Sequence, residues 1–345
     1  MSKTKLVVIG VGAIGRMHVE RARLHPQCEV VAVSDPTPAG EAFARAENLR
    51  WFADYTQMLD EMRPQGAIVA TPNATHLAVG VACIERGIAV LMEKPIADTV
   101  EQAAALTRAA ETAGVPLIVG HHRRHNPILR QGREIVQSGR LGKAVSAVAM
   151  ATFFKPDSYF DMAWRREKGG GPVLINLIHD IDMLRYLLGE IVQVQAVSSN
   201  KVRGYGVEDT AAAVLTFENG ALGTLVVSDC AAAPWNWDLA AGEAAHYPQQ
   251  RVNTHFITGT EGSMTLPLLE IWSYRGKKGW HDPLSVEMTT PHRVDPYHEQ
   301  LRHFSSVIAG TETPVCSGDD ATRTLAATFA VHRAVASGEA VTLPV

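Results

Sequence analysis

Three glycines in the spacing G-x-G-x-x-G, at Gly10, Gly12 and Gly15, directly follow an apolar run at residues 6–9 and precede a stretch of good helix formers. That order reads as a buried parallel strand, a tight turn, and a helix whose first amides face outward. Gly10 permits the turn, Gly12 lets a pyrophosphate approach the backbone, and Gly15 lets the helix pack close to the strand. Unpaired amides and the helix dipole favour an anion at that N-terminus. Gly10, Gly12, Ala13, Ile14 and Gly15 are therefore candidate contacts for a dinucleotide. The motif alone is weak, because glycines also punctuate ordinary loops. It is supported by a second strand-like run at residues 29–34, which ends in Asp35, twenty residues after Gly15. A dinucleotide-binding fold places there the acid that binds the adenosine ribose hydroxyls. A carboxylate at that point, followed by Pro36 rather than arginine, favours NAD by repelling the extra phosphate of NADP. NADP stays open as the second choice, with Arg45 or Arg50 to hold that phosphate.

From residue 5 to about 120 the pattern repeats. Helix-like stretches at 38–48, 55–62, 76–86 and 98–113 alternate with strand-like runs at 66–70, 88–92 and 116–120, and Asp98 or Thr99 is the N-cap of the last helix. Repeated βα units imply a doubly wound parallel sheet with helices on both faces. Ligands in such sheets lie at the carboxyl ends of the strands, so the residues just after each strand carry the chemistry. One such cluster is Thr71-Pro72-Asn73-Ala74-Thr75-His76; helix capping accounts for Asn73 or Thr75 but not for the whole set. The other is Glu93-Lys94-Pro95. The fold does not need a lysine at a strand's end, flanked by Glu and locked by Pro, so a role in a site is the better reading.

A histidine-rich segment, His121-His122-Arg123-Arg124-His125-Asn126-Pro127, leaves the last of these strands, and a helix closed by Gly139 follows. His121 and His125 are four apart, but Pro127 starts the next helix and no carboxylate lies nearby in sequence. A substrate role for His121 and Arg124 is therefore preferred to a metal. From residue 143 strand-like runs succeed one another without intervening helices, at 144–154, 192–197, 210–217, 221–227, 253–258, 263–266 and 270–274, with a hairpin dipeptide at Asn219-Gly220. The expected architecture is thus α/β followed by α+β. A Rossmann-type parallel sheet fills residues 1–122, and a substrate-binding and oligomerisation domain with a large, mostly antiparallel open sheet fills 123–345. A glycine loop at 169–171 precedes a helix expected over 173–188. Asn176 and His179 lie three apart on one face of it, and Asp182 and Arg185 form a surface or packing pair. Lys155, Arg165 and His246 are weaker candidates for the substrate. The segment 231–251 is long for an idle loop, and its Trp235 and Trp237 either stack on a ring face or bury a subunit contact. Two amphipathic helices and an extended segment at 341–344 end the chain.

The combination of the glycine motif with T-P-N-x-x-H, E-K-P and the later glycine-loop histidine resembles the Gfo/Idh/MocA oxidoreductases over essentially the whole chain. The resemblance implies that Lys94 sits at the nicotinamide and the substrate hydroxyl. Thr71, Pro72, Asn73, His76 and Glu93 would then lie along the cofactor, and His179 would be the catalytic acid/base partner of Lys94. It also implies that one face of the C-terminal sheet forms the interface of a homodimer or homotetramer. The family pattern G-G-G-x-L-x-D-x-G-x-H is broken here: Ile175 stands where its aspartate falls, Asn176 is one place later, and Leu177 replaces its glycine. Asn cannot act as a base, so His179 and Lys94 are left with the proton chemistry.

The resulting expectation is an NAD(P)-dependent dehydrogenase or reductase that interconverts a secondary alcohol and a ketone on a sugar, polyol or similar hydroxylated ring. Lys94, His121, Arg124, Lys155, Arg165, Asn176 and His179 are its substrate contacts. One alternative is a dehydrogenase of a cyclic dihydrodiol or hemiacetal of an aromatic acid, its carboxylate held by His121, His122, Arg124 and Lys155. Another is a non-catalytic NAD(P)-binding regulator. The formal charge of −4, without long basic runs, gives no footprint for nucleic acid. No apolar run approaches the ~18 residues of a membrane span. The N-terminus enters the first strand without a secretion signal, and four scattered cysteines read as reduced thiols of a cytoplasmic protein.

Overall fold

The computed structural model describes residues 3–244 and 246–344. Residues 1 and 2 of the N-terminal stretch, residue 245 of the segment 231–251, and residue 345 lie outside the described residues. By contacts the chain divides into two compact units, Met1–His125 with Val294–Leu325, and Asn126–Arg293 with Ala326–Val345. The sequence-based boundary kept everything after residue 122 in the second domain. Residues 294–325 join the first unit because Leu301, Phe304 and Val307 pack in one apolar cluster with Leu6, Val8 and Ile68. The periodicity of that segment shows an amphipathic helix but not which sheet it covers.

The first unit holds six strands: β1 (Thr4–Ile9), β2 (Cys28–Ser34), β3 (Arg50–Phe52), β4 (Gly66–Val69), β5 (Ala89–Met92) and β6 (Leu117–Val119). All pair in parallel, in the order β3-β2-β1-β4-β5-β6. The chain runs outward from β1 to β3, then returns to the other side of β1 at β4. That reversal opens the ligand crevice of a doubly wound sheet beside the carboxyl end of β1. The connecting helices are α1 (Ala13–Arg23), α2 (Pro38–Ala46), α3 (Tyr55–Met62), α4 (His76–Ile84) and α5 (Val100–Ala113). Thr37, Asp54 and Thr99 cap α2, α3 and α5 by accepting from Gly40, Thr56 and Gln102 amides. Strand β3 is absent from the sequence expectation. Three residues, one of them Arg50, are too few to show a period.

The second unit is built on nine strands in the order β14-β13-β12-β11-β7-β10-β9-β8-β15. They are β7 (Ala144–Thr152), β8 (Ile191–Ser199), β9 (Thr210–Phe217), β10 (Leu222–Ser228), β11 (His255–Gly259), β12 (Gly262–Leu266), β13 (Glu270–Tyr274), β14 (Leu284–Met288) and β15 (Val341–Thr342). Only β7 and β10 pair in parallel. Gly220, at φ +85°, turns β9 into β10 as the Asn-Gly dipeptide requires. Helices α6 (Pro127–Gln137) and α7 (Ile178–Leu188) bury Leu129, Ile181 and Leu184 against Leu215, Leu225 and Ile257 of the sheet. A short α8 (Trp237–Ala240) lies in the long loop; α9 (Pro296–Ile308) belongs to the first unit, and α10 (Gly318–Ser337) begins there and ends in the second.

One local expectation changes and another is narrowed. The helix expected over 173–188 is α-helical only from Ile178; Val173–Leu177 forms a wider, π-type turn, with the Val173 amide held by Glu208 Oε1 at 3.0 Å. Of the two alternatives for Asp182 and Arg185, surface or packing, burial at 1% and 5% exposure selects packing, and Arg185 donates to both carboxylate oxygens of Glu190 at 2.7 Å. Among the described residues no helix is long and apolar enough to cross a membrane.

Candidate active site

At the end of β1, Gly10 takes φ +86°, and a Cβ there would meet the Ala70 carbonyl oxygen at 2.7 Å. Gly12, the N-cap of α1, has no side-chain cap, and nothing lies within 4 Å of where its Cβ would be. Gly12, Ala13 and Ile14 are exposed, so the first turn of α1 offers bare amides to an anion. Gly15 is different: a Cβ would fall 1.9 Å from the Gly10 carbonyl oxygen. An open cradle at Gly12 and a close packing contact at Gly15 are what a dinucleotide pyrophosphate needs. Gly15→Ala is expected to force α1 off β1, lowering stability by about 2 kcal/mol and abolishing NADH binding. Thermal unfolding and NADH fluorescence titration measure the two effects.

Asp35, just beyond β2, accepts from the Val11 amide at 2.9 Å and from the Thr37 amide at 2.9 Å and hydroxyl at 2.5 Å. Burial alone would raise its pKa. The Thr37 and Val11 hydrogen bonds outweigh it and hold the carboxylate below its ordinary range. Asp35 is thus ionised and fixed beside the glycine loop. Thr37, which the motif does not include, supplies most of that anchoring.

At the ends of β4 and β5, His76 is 1% exposed, and its ring nitrogens lie 2.9 Å from the carbonyl oxygens of Pro95 and Thr71. A neutral imidazole donates to only one of these. Burial is the larger influence and lowers the His76 pKa despite both carbonyls. Its place is between the T-P-N turn and the E-K-P loop, tying them together. Thr71 accepts from the Thr75 hydroxyl at 2.7 Å; Asn73 opens a single 3₁₀ turn, and Pro72 stays exposed.

Glu93 is 8% exposed. Its Oε1 lies 2.7 Å from His18 Nε2, and its Oε2 accepts from the Lys94 amide at 3.2 Å. Burial pushes its pKa up, but the His18 hydrogen bond, with His18, His122 and Lys94 nearby, brings it below the usual carboxylate value. Glu93 therefore buttresses Lys94 from inside the unit, and Lys94 itself is half-buried at the mouth of β5. The sequence reading missed His18. The signal was present, since His18 lies three residues after Gly15 and shares its buried helix face.

Among the histidine-rich residues, His121, His122, Arg124 and His125 are all buried. Arg124, proposed from sequence as a substrate contact, is committed to Asp320, pairing through both guanidinium nitrogens, and also donates to the Val315 carbonyl at 3.0 Å. His122 stacks on Tyr297 at 4.3 Å between ring centroids. Asn126 caps α6 by accepting from the Ile128 amide at 2.8 Å.

In the second unit three sequence candidates come together. Lys155, 5% exposed, donates from Nζ to Asn176 Oδ1 at 2.8 Å and lies 4.6 Å from the Tyr159 ring centroid. Arg165 covers the same ring at 3.9 Å and donates to the Tyr159 carbonyl at 2.6 Å. Behind Lys155, Asp229 lies at 3.7 Å and is bound by Arg203 Nε at 2.8 Å. Burial raises the Asp229 pKa against the pull of Arg203 and Lys155. Three residues after Asn176 comes His179, 8% exposed, in the first turn of α7. Of the remaining candidates, Trp237 is fully buried and donates to Glu243 at 2.7 Å, so it is core and not a ring platform. Trp235 is 43% exposed and His246 is on the surface.

Two family models match. Residues 4–121 fit the oxidoreductase family with NAD-binding Rossmann fold, and residues 129–265 fit the GFO/IDH/MocA C-terminal domain. The chain is 26% identical over 354 residues to scyllo-inositol 2-dehydrogenase (NAD(+)) of Bacillus subtilis, covering 99% of this chain and 97% of that one. It is 28% identical over 346 residues to 1,5-anhydro-D-fructose reductase of Ensifer adhaerens, covering 96% of each. Its fold matches levoglucosan dehydrogenase in complex with NADH and levoglucosan with a TM-score of 0.82, at 20% identity over the whole of both chains. The glycine cradle, the ionised Asp35 and these matches agree: the chain belongs to the Gfo/Idh/MocA family and is an NAD(P)-dependent oxidoreductase acting on CH–OH groups.

Proposed function

We propose that this enzyme interconverts a secondary alcohol and a ketone on a sugar, polyol or similar hydroxylated ring, with Lys94 and His179 carrying the proton chemistry. The observation that carries the reading is Lys94 held at the mouth of β5 by the Glu93–His18 pair, in a sheet whose crevice opens beside β1. The relatives' names support the substrate class. When bound, the nicotinamide supplies the hydride acceptor or donor. In the oxidation direction His179 takes the hydroxyl proton on its imidazole. The Lys94 ammonium orients the substrate oxygen and stabilises the negative charge that develops on it. Asp35 and the α1 amides hold the adenosine end and the pyrophosphate, and favour NAD over NADP. A panel of sugars, polyols and their ketones, assayed with NAD and NADP, tests this. Turnover of at least one member with a preference for NAD is expected, and binding without turnover of any of them would instead favour the regulatory reading.

The second part of the proposal is a homo-oligomer formed through the outer face of the nine-stranded sheet. Strands β7, β9 and β10 contain no charged side chain, which is unusual for a face left in water. Val148 pairs across to Phe256, and Trp272 to Val286; these four are 42%, 40%, 38% and 44% exposed. Exposed apolar side chains gathered in this way mark an interaction surface, and in a two-fold pair the same patch of a second copy faces it. The double variant Val148→Lys, Phe256→Lys is expected to shift the particle to monomer in analytical ultracentrifugation. An unchanged sedimentation coefficient counts against this surface.

A further inference from the structure

The departure at Asn176 changes what the site can accept. A lysine ammonium has donors only, so the 2.8 Å contact from Lys155 Nζ fixes the asparagine's flip, with Oδ1 turned to the lysine. Lys155 is buried and is itself backed by Asp229 at 3.7 Å, whose other ties run to Arg203. The amide cannot turn over without leaving Lys155 facing a second donor. What remains for Asn176 to offer is Nδ2, which meets no acceptor among the described residues on a half-buried side chain. An aspartate at such a site would take a hydrogen from a substrate hydroxyl. The locked asparagine can only give one.

We infer that the Lys155–Asn176 pair reads an oxygen without a hydrogen (a ring or bridging ether, a carbonyl or a carboxylate oxygen) close to the carbinol carbon on which His179 acts. The preferred substrates are then anhydro sugars, lactones or sugar acids over fully hydroxylated polyols. This rests on the proposed role of His179. Lys155 acts through Asn176 and is a positioning residue.

The test uses substrate pairs in which one member carries a hydrogen-free oxygen where the other carries a hydroxyl, such as an anhydro sugar and its parent sugar, or a sugar acid and its alditol. It compares the kcat/KM ratio within each pair for wild type, Asn176→Asp and Lys155→Met. NADH fluorescence titration checks that each variant is folded. Wild type should prefer the hydrogen-free member. In Asn176→Asp the ratio should fall by about tenfold to a hundredfold, because a carboxylate faces a lone pair. In Lys155→Met the amide can flip, and the ratio should move towards one. A purely structural role would lower both members equally, so unchanged ratios in both variants overturn the inference while leaving the proposed function standing. If wild type turns over neither member of any pair, nor any compound of the wider panel, the proposed function fails and this inference falls with it. The ether and carboxylate pairs separately tell which hydrogen-free oxygen is read.

Discussion

Lys94→Met and His179→Ala should each lower kcat by about a thousandfold, the range expected when a charge-stabilising or proton-transferring group is removed, while NADH should still bind with near-normal affinity. The two effects arise differently. Methionine keeps the length and packing of Lys94 but removes the ammonium proposed to stabilise the developing alkoxide. The Lys94 amide continues to bind Glu93, so the loop keeps its shape. His179→Ala removes the imidazole from the first turn of α7, where the helix is held by buried neighbours on both sides. Neither residue contributes to the glycine cradle or to Asp35, so cofactor affinity is the internal control. Initial rates with the best substrate of the panel, alongside NADH fluorescence titration, measure both quantities. Near-normal turnover in either variant removes that residue from the chemistry.

His18→Leu is the second large effect, and it acts on stability and activity together. The Glu93 carboxylate loses its 2.7 Å partner inside the unit and faces a hydrocarbon in its place, though it still accepts from the Lys94 amide. Leaving a buried carboxylate without its partner costs about 3 kcal/mol, measured by urea unfolding. The sign with pH follows from Glu93, whose folded pKa lies below its ordinary 4.5. Its contribution is fully present above the unfolded value and is lost as pH falls through the folded one. Stability of the wild type should therefore decline below about pH 4.5, and His18→Leu should show less of that decline, since the interaction favouring the ionised form is gone. His18→Gln, which keeps a donor, should recover part of the stability. Because Glu93 also holds the Lys94 amide, His18→Leu should lower kcat more than it changes the affinity for NADH.

Much of the first unit was legible because its signals are local. Gly10, Gly12 and Gly15 lie within six residues, and each requirement, a turn, an open cradle or a close packing contact, is met by lacking a side chain. The ends of β4 and β5 were legible for the same reason, since a parallel sheet places its chemistry just after its strands. What the sequence hid were partners distant in the chain. Arg124 looked available for a substrate because Asp320 is 196 residues away. The partner of Glu93 was hidden because His18 is 75 residues away. For Trp237 the sequence left stacking and burial equally open, and its fully buried indole bound to Glu243 decides for burial. Lys155 and Asn176 were both candidates, but their hydrogen bond, which decides what Asn176 can donate, has no sequence signature. Nor did spacing reveal the π-type turn before α7, because an apolar run such as Val173–Leu177 fits either helix type.

The most direct test of the central claim follows a label. A substrate from the active class, deuterated at the carbinol carbon, is turned over once with NAD, and the reduced cofactor is examined by proton NMR. The account predicts one deuterium per cofactor on one face of nicotinamide C4, with a slower single-turnover rate than the unlabelled substrate. Reduced cofactor without deuterium, its hydrogen drawn from solvent instead, would contradict direct hydride transfer at this site.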